Sequence, residues 1–503
     1  MRHEWAILLP YIVLTGWSVI VIAVGLMGER IRSDQLGYLA AFGLLVGAAT
    51  QIIAPHRILW NGLLLGDSYS TIFNTIFMIV GAVVCWASAS WKGSAPYEPE
   101  FYGLIMLATV GLMLMAAAGS LLILFIGIEL STISLFALVS ITKRDRKSAE
   151  AGLKLFVLGA VASAVFLYGA SLIYGAAGTT EYWRLLLLSQ SPKMVQTTLL
   201  FIGFCFVVGA LSFKLAAAPF HLWAPDVYQG APTIVSAFIS TVSKAGAFAA
   251  LIRIILLASA ANWHGLLMVI IALAAISMVV GNLVALAQTS LKRLLAYSGV
   301  AQVGYILTAV AVGGSRDSIS SAIVYLLLYS FTNAGAFLVC GAMQETTDSE
   351  TIESLRGLHR RSAPLAFAML ILLLSLGGIP PLAGFVGKIF LFEAAYTGGL
   401  WRLVLLGAIM SVVALYYYLS VVLQMYIRDP DDDRRVVVAP SLGGAIALCT
   451  VITVLIGAFP APWIKAGNHA ASSARKTFEF EVMASHRIQS NRVADISYKL
   501  DRQ

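Results

Sequence analysis

Apolar stretches of about 20 residues, the length that crosses a lipid bilayer as a helix, recur almost from end to end of this 503-residue chain. Charged residues make up only 12% of the chain and hydrophobic residues 59%, whereas soluble domains carry about 25% charged residues. Helices satisfy their own backbone hydrogen bonds in lipid, so this composition favours a helical bundle. The sequence therefore predicts an all-α, polytopic membrane protein.

Fourteen transmembrane spans are predicted. They cover residues 5–27, 35–54, 68–91, 101–118, 120–141, 150–175, 196–224, 232–258, 264–288, 291–312, 319–343, 364–398, 401–427 and 440–464. Basic residues concentrate in alternate loops, as in the run Lys143-Arg144-Asp145-Arg146-Lys147, and the positive-inside rule places these loops in the cytoplasm. Both termini are then expected on the periplasmic side of a bacterial inner (plasma) membrane.

Charged side chains lie in the middle of four apolar spans: Glu129, Lys214, Lys244 and Lys388. A charge at the centre of a bilayer is costly, so such residues usually face a protein interior or a hydrated path. Burial disfavours the charged form of an ionisable group, which favours proton exchange. The pattern indicates a proton relay inside the membrane; the alternative is a set of structural ion pairs that hold helices together.

Two spans are predicted to be broken close to a lysine. Span 7 contains Pro219, Pro225 and Pro232, and span 12 contains Gly377-Gly378 followed by Pro380-Pro381. Proline removes a backbone donor and clashes with the preceding turn, and opened backbone at membrane depth is tolerated only inside protein or beside water. Because the breaks lie five spans apart, we expect two five-helix repeats, spans 4–8 and 9–13, the second inverted.

These features divide the chain into five parts. Residues 1–100 hold spans 1–3, residues 101–258 the first repeat, residues 264–427 the second repeat, residues 428–464 the last span, and residues 465–503 a polar, basic tail. The tail is either a disordered extension or a helix that lies on a partner or on the membrane surface.

Other chemistry is less favoured by this sequence. The four cysteines are scattered singly, so a disulfide framework, a metal site and an iron–sulfur site are not expected. The formal charge of +8 resides largely in short loops, so nucleic acid is not an expected partner. Lys154 and Lys292 lie near enough to span ends to reach the interface. His221 can shuttle protons or bond freed carbonyls, while Asp226 and Arg253 are expected to cap or anchor helix ends.

Longer motifs surround these residues. IELSTISLFALV contains Glu129, AGLKLFVLGAVASAVFLYG contains Lys154, PFHLWAPDVYQGAP follows Lys214, and GGIPPLAGFVGKIFLF contains Lys388. Over roughly residues 100–430 the chain resembles the antiporter-like membrane subunits of respiratory complex I, most closely the subunit N group of bacterial NADH:quinone oxidoreductases.

The resemblance implies a fourteen-helix fold with inverted repeats and assigns a proton path to the charged residues. These are Glu129, Lys154, Lys214, Lys244 and Lys388. Lys154 is then the expected partner of Glu129. Family members often carry a histidine on span 10 where this chain has Gln302, which cannot carry a proton as histidine does. Water or Tyr305 is expected to serve there, and Lys292 and His221 are further candidates.

The implied function is proton translocation, coupled to quinone reduction elsewhere in the complex and without redox chemistry in this chain. NADH, FMN, iron–sulfur clusters and quinone are expected in other subunits, and no cofactor in this one. The expected partners are other complex I membrane subunits, including sister antiporter-like subunits, and the lipid bilayer. The alternatives are a subunit of an Mrp-type cation/proton antiporter or of a related membrane hydrogenase, and a purely structural membrane scaffold.

Overall fold

The computed structural model describes residues 5–27, 33–90, 98–189, 197–261, 263–430 and 434–477. Within these ranges the chain is almost entirely helical, with one antiparallel hairpin, β1 (Arg57–Leu59) and β2 (Leu64–Gly66). The helices are α1 (Trp5–Leu26), α2 (Ser33–Ile53), α3 (Ser68–Ser88), α4 (Glu98–Ala117), α5 (Leu121–Val139), α6 (Arg146–Ala177), α7 (Tyr182–Ser189), α8 (Thr197–Leu215), α9 (Trp223–Gly230), α10 (Thr233–Phe238), α11 (Lys244–Ala260), α12 (His264–Ala285), α13 (Leu291–Val310), α14 (Arg316–Thr347), α15 (Leu358–Arg361), α16 (Ala363–Gly377), α17 (Ala383–Thr397), α18 (Trp401–Tyr426), α19 (Pro440–Ala458) and α20 (residues 461–477).

Twelve helical segments in the described ranges are long and apolar enough to cross a membrane. They match twelve of the fourteen predicted spans, with α10 and α11 joined into one by a wider π-helical turn, Ile239–Ser243. The predicted span 291–312 is α13, which is less apolar because it begins with a lysine and an arginine. The predicted span 364–398 is the pair of shorter helices α16 and α17. The prediction of an all-helical, multi-span membrane protein is confirmed.

Both predicted helix breaks are present. Span 7 is divided into α8 and α9 by residues 216–222, and span 12 into α16 and α17 by residues 378–382. Each break contains a cis peptide bond, before Pro219 in the first and before Pro381 in the second. The proline and glycine residues thus interrupt the helices where their chemistry predicts.

Serine hydroxyls replace part of the hydrogen bonding that the backbone loses at the breaks. Ser277 Oγ of α12 accepts from the Ala218 N–H at 2.9 Å, and Ser375 Oγ of α16 accepts from the Gly384 N–H at 3.0 Å. A buried backbone donor without a partner costs about 1–3 kcal/mol. These bonds therefore stabilise an open backbone inside the bundle.

The polar tail folds differently from either expectation. Residues 461–477 form α20, which packs against this chain itself and buries Ala470, Ala471 and Ala474. The sequence signal for this was the small alanine side chains, which allow a helix to approach its neighbour closely. Residues 478–503 of the predicted tail lie outside the described residues.

A buried ion pair joins four elements at the end of the bundle that carries the hairpin. Arg253 of α11 is completely buried and donates to both carboxylate oxygens of Asp67, the residue that caps α3, at 2.9 and 3.2 Å. Its Nε donates to the Ala116 carbonyl of α4 at 2.8 Å. The Thr477 hydroxyl of α20 donates to Asp67 at 3.2 Å. Arg253 lies in the middle of α11, so it links this helix to the start of α3 and the end of α4 rather than anchoring the end of its own helix.

We expect Asp67→Asn to lower the free energy of unfolding by about 3–5 kcal/mol, because it leaves the buried Arg253 charge uncompensated while preserving side-chain shape. The measurement is the thermal unfolding midpoint of the complex purified in mild detergent. Asp429→Asn is the control, since its pair with Arg360 is solvent-exposed and such pairs are worth about 0–1 kcal/mol. Equal midpoints for the two variants would contradict the proposed anchoring role.

Candidate functional site

The three central lysines are all withdrawn from the outer surface of the bundle. Lys214 on α8 is 9% exposed, Lys244 on α11 is 1% exposed, and Lys388 on α17 is 5% exposed. Glu129 on α5 is half-buried. The helices thus place four ionisable groups inside the membrane-spanning bundle, as expected of an internal charge path.

The Lys214 ammonium of α8 lies against the face of α5 that carries Glu129. Glu129 accepts a hydrogen bond from the Ser163 hydroxyl of α6, and the Lys214 ammonium donates to Thr132 Oγ1 at 3.0 Å. Thr132 follows Glu129 by three residues, so the two side chains are neighbours on the helix surface. A cavity of about 30 Å³, lined by Thr132, Ser163 and Lys214, is large enough for ordered water.

Lys154 does not pair with Glu129, and that prediction is wrong for this structure. Its ammonium contacts Glu150 at 2.8 Å and Asp226 at 2.9 Å, and its side chain is 41% exposed. Lys154 cannot reach Glu129 because of its position along α6. Ser163, which does contact Glu129, is nine residues further along the helix, or about 13 Å. Lys154 therefore lies near the start of α6.

Asp226 bridges two basic residues at this level. Besides Lys154 it accepts from Arg293 Nη1 of α13 at 2.8 Å. It therefore connects α6, α9 and α13, which agrees with the prediction that it anchors a helix end.

Lys244 lies immediately after the π-helical turn Ile239–Ser243. Its ammonium has no hydrogen-bond partner among the described residues. It lies 5.7 Å from the centre of the Tyr228 ring and 6.0 Å from that of the Tyr329 ring, within the distance at which a ring face attracts a cation. The surroundings of Lys244 are thus aromatic and uncharged.

Lys388 uses the opened backbone of the second break. Its ammonium donates to the Gly377 carbonyl at 3.0 Å and lies 4.8 Å from the centre of the Tyr305 ring. The Tyr305 hydroxyl in turn accepts from Asn282 at 3.0 Å. A carbonyl freed by the helix break is therefore the direct partner of this lysine.

Gln302 binds the carbonyl next to the one that Lys388 binds. Its Nε2 donates to the Leu376 carbonyl at 3.2 Å, and its Oε1 accepts from the Tyr325 hydroxyl. Having both a donor and an acceptor, the amide joins a tyrosine on α14 to the opened end of α16. It fixes this part of the site, whereas a proton-carrying role would need another group.

Lys292 and His221, the two further candidates, are both buried. Lys292 is 2% exposed and donates to the Ala231 carbonyl at 3.4 Å, with Glu350 at 4.0 Å, so its ammonium is held inside the protein. It lines a polar cavity of about 300 Å³ beside the loop that follows α14. The His221 ring lies in the first break, 6.1 Å from that of Tyr297.

Several contact residues were not singled out from the sequence. The hydroxyl groups of Thr132 and Ser163 and the rings of Tyr228 and Tyr329 surround the predicted charges. The available signal was that these are short polar or aromatic residues within apolar spans. Many other residues of the chain have the same property. In the described ranges no group of three or more His, Cys, Asp or Glu side chains is placed to hold a metal ion.

Comparison with known proteins identifies a matching family and similar relatives. The family described as NADH:quinone oxidoreductase/Mrp antiporter, transmembrane, matches residues 118–414. NADH-quinone oxidoreductase subunit N of Heliobacterium modesticaldum is 40% identical over 463 residues, covering 90% of this chain and 96% of that protein.

Solved structures have the same architecture. A chain of respiratory complex I from Thermus thermophilus with bound aureothin matches with a TM-score of 0.77 and 33% identity, over 91% of this chain and 98% of that one. A chain of the Mrp complex from Dietzia sp. matches with a TM-score of 0.83 over 96% and 99% of the two chains. Its 21% identity supports a shared fold only.

We expect Gln302→Met to lower thermal stability by about 1–3 kcal/mol per unpaired group, because the Tyr325 hydroxyl and the Leu376 carbonyl both lose their partner. The thermal unfolding midpoint of the purified complex measures this. Gln288→Met serves as the control, since Gln288 is half-buried in the loop after α12, where water can replace its bonds to the Val284 carbonyl and to Arg293. A Gln302 variant as stable as the control would show that the link is dispensable.

Proposed function

The chain belongs to the NADH:quinone oxidoreductase/Mrp antiporter transmembrane family, and we propose that it is the proton-translocating membrane subunit of a proton-pumping NADH:quinone oxidoreductase. One observation carries the proposal. Lys214, Lys244 and Lys388 are buried, and no carboxylate of the described residues lies within salt-bridge distance of their ammonium groups. Neutral surroundings of this kind suit a group that must gain and lose a proton.

The rival interpretation is a set of structural ion pairs, and this protein contains one for comparison. Arg253 has a carboxylate, a carbonyl and an aromatic ring around it. The relay lysines have a hydroxyl, aromatic rings or a single carbonyl instead. A structural ion pair is stabilised by opposite charges. A proton relay instead requires lysines whose protonated and neutral forms are close in free energy.

The relay must supply a free energy that is set by the membrane potential. Moving one charge against 100 mV requires about 2.3 kcal/mol. A charge that appears or leaves beside a buried lysine changes its proton affinity by a comparable amount. Glu129, which shares a face of α5 with the Thr132 partner of Lys214, is suited to exert that influence.

We propose that protons enter through the polar cavity beside Lys292. This residue lies on α13 seven positions before Gly299, which is about 10.5 Å or two helical turns, so both lie on one helix face. Gly299 is adjacent to the Lys244 ammonium. The first proposed repeat then supplies Lys214 and Lys244, and the second repeat supplies Lys388.

In this proposal NADH oxidation and quinone reduction occur in other subunits, and the chain works within a hetero-oligomeric membrane complex. Its match to a chain of respiratory complex I, at 33% identity, supports that assembly. The basic loops would face the cytoplasm and both termini the periplasm. The relative named as an NADH-quinone oxidoreductase subunit, at 40% identity, favours complex I over an Mrp antiporter. Identification of the subunits that co-purify with the chain separates the two.

We expect Glu129→Gln to lower proton translocation per electron at least about tenfold, since it removes a charge that alters the proton affinity of a nearby lysine by more than 1.4 kcal/mol. The measurement is the proton-to-electron ratio of the assembled complex in proteoliposomes. Normal stoichiometry in a fully assembled variant would eliminate Glu129 from the relay.

We expect Lys388 to be the last relay residue before release. Lys388→Arg should block translocation because arginine remains protonated. Lys388→Glu should retain part of it because a carboxyl group still loads and releases a proton. The three variants Lys388→Arg, Lys388→Glu and Lys388→Ala are compared at equal assembly. Wild-type pumping by the arginine variant would mean that Lys388 is a fixed charge and that the relay ends elsewhere.

A further inference from the structure

The Lys244 ammonium occupies a narrow space bordered by α9, α13 and α14. Tyr228 and Tyr329 lie on two sides of it, and both hydroxyl groups are buried without a hydrogen-bond partner among the described residues. The remaining side is the backbone of α13 at Gly299. Two polar atoms without hydrogen-bond partners among the described residues, Lys244 Nζ and the Tyr329 hydroxyl oxygen, therefore lie where α13 has no side chain.

The distances show how closely the glycine approaches. A Cβ atom at position 299 would lie 2.6 Å from Lys244 Nζ and 3.0 Å from the Tyr329 hydroxyl oxygen. Both distances are shorter than ordinary van der Waals contact, about 3.5–4.0 Å. Alanine at position 299 therefore cannot coexist with the ammonium in its present place.

We propose that Gly299 is a positioning residue for proton transfer: by lacking a side chain it holds the space in which the Lys244 ammonium lies between Tyr228 and Tyr329. The inference rests on the proposed function, in which Lys244 carries the proton. Gly299 itself exchanges no proton. It acts by setting where the ammonium lies relative to the groups that deliver and accept the proton.

Two features of the Gly299→Ala change distinguish a positioning role of Gly299 from a structural one. The atom that must move in Gly299→Ala is the tip of a flexible lysine side chain, not backbone. Alanine also favours the middle of a helix over glycine by about 1 kcal/mol. The helix should therefore tolerate the change, and the displaced atom is the one that the relay uses.

The test compares Gly299→Ala with Gly81→Ala in the assembled complex. Gly81 also lies within a buried helix, but a Cβ there would meet Leu44 at 3.5 Å, an ordinary contact. We expect assembly and electron transfer to persist in both. Proton translocation per electron should fall about tenfold in Gly299→Ala alone, within the loss that a misplacement of 1 Å or less can cause.

The same substitution in a Tyr329→Phe variant shows whether the loss of translocation arises from displacement of the Lys244 ammonium. Tyr329→Phe removes the hydroxyl oxygen that would lie 3.0 Å from the new Cβ atom and so makes room beside it, and adding Gly299→Ala to Tyr329→Phe should change translocation less than about twofold. Unchanged translocation in Gly299→Ala, or the same loss in both backgrounds, would overturn the proposal. Lys244→Met tests the premise separately: if this variant pumps normally, the proposed function fails, whereas loss there with normal Gly299→Ala overturns the positioning role alone.

Discussion

The structure depends on one constraint: in lipid, every backbone polar group needs a partner within the protein. Most of the chain meets it by remaining helical. Where the two spans open, at residues 216–222 and 378–382, side chains from neighbouring helices provide the partners. At the second break the freed carbonyls of Leu376 and Gly377 bind Gln302 and Lys388. The opening of the helix therefore creates the polar site.

Buried charge takes two forms in this bundle. Arg253 is surrounded by a carboxylate, a carbonyl and an aromatic ring, and an arginine stays protonated in such a setting. Lys244 has two aromatic rings and no hydrogen bond within the described residues. The first arrangement holds elements together, and the second leaves the ammonium without a hydrogen-bond partner among the described residues. Both lie on α11, nine residues apart.

Much of this could be read from the sequence, because hydropathy and proline act locally. The spans, both breaks and the burial of the three lysines follow from such signals. The partner of Lys154 did not follow from such signals, because the contact with Asp226 depends on how α6 packs against α9. The place of Gly299 beside Lys244 depends on the contact of helices 55 residues apart in sequence, which no local pattern encodes.

The contact between Thr477 and Asp67 spans 410 residues of chain, and this separation imposes an order on biosynthesis. Membrane proteins are inserted from the N-terminus as they leave the ribosome, so α3 and α11 meet in the bilayer while α20 is still unmade. Asp67 and Arg253 must therefore find each other first, and α20 covers them as one of the last steps. A chain released before residue 477 keeps Lys214, Lys244 and Lys388 and lacks the Thr477 contact that covers this ion pair.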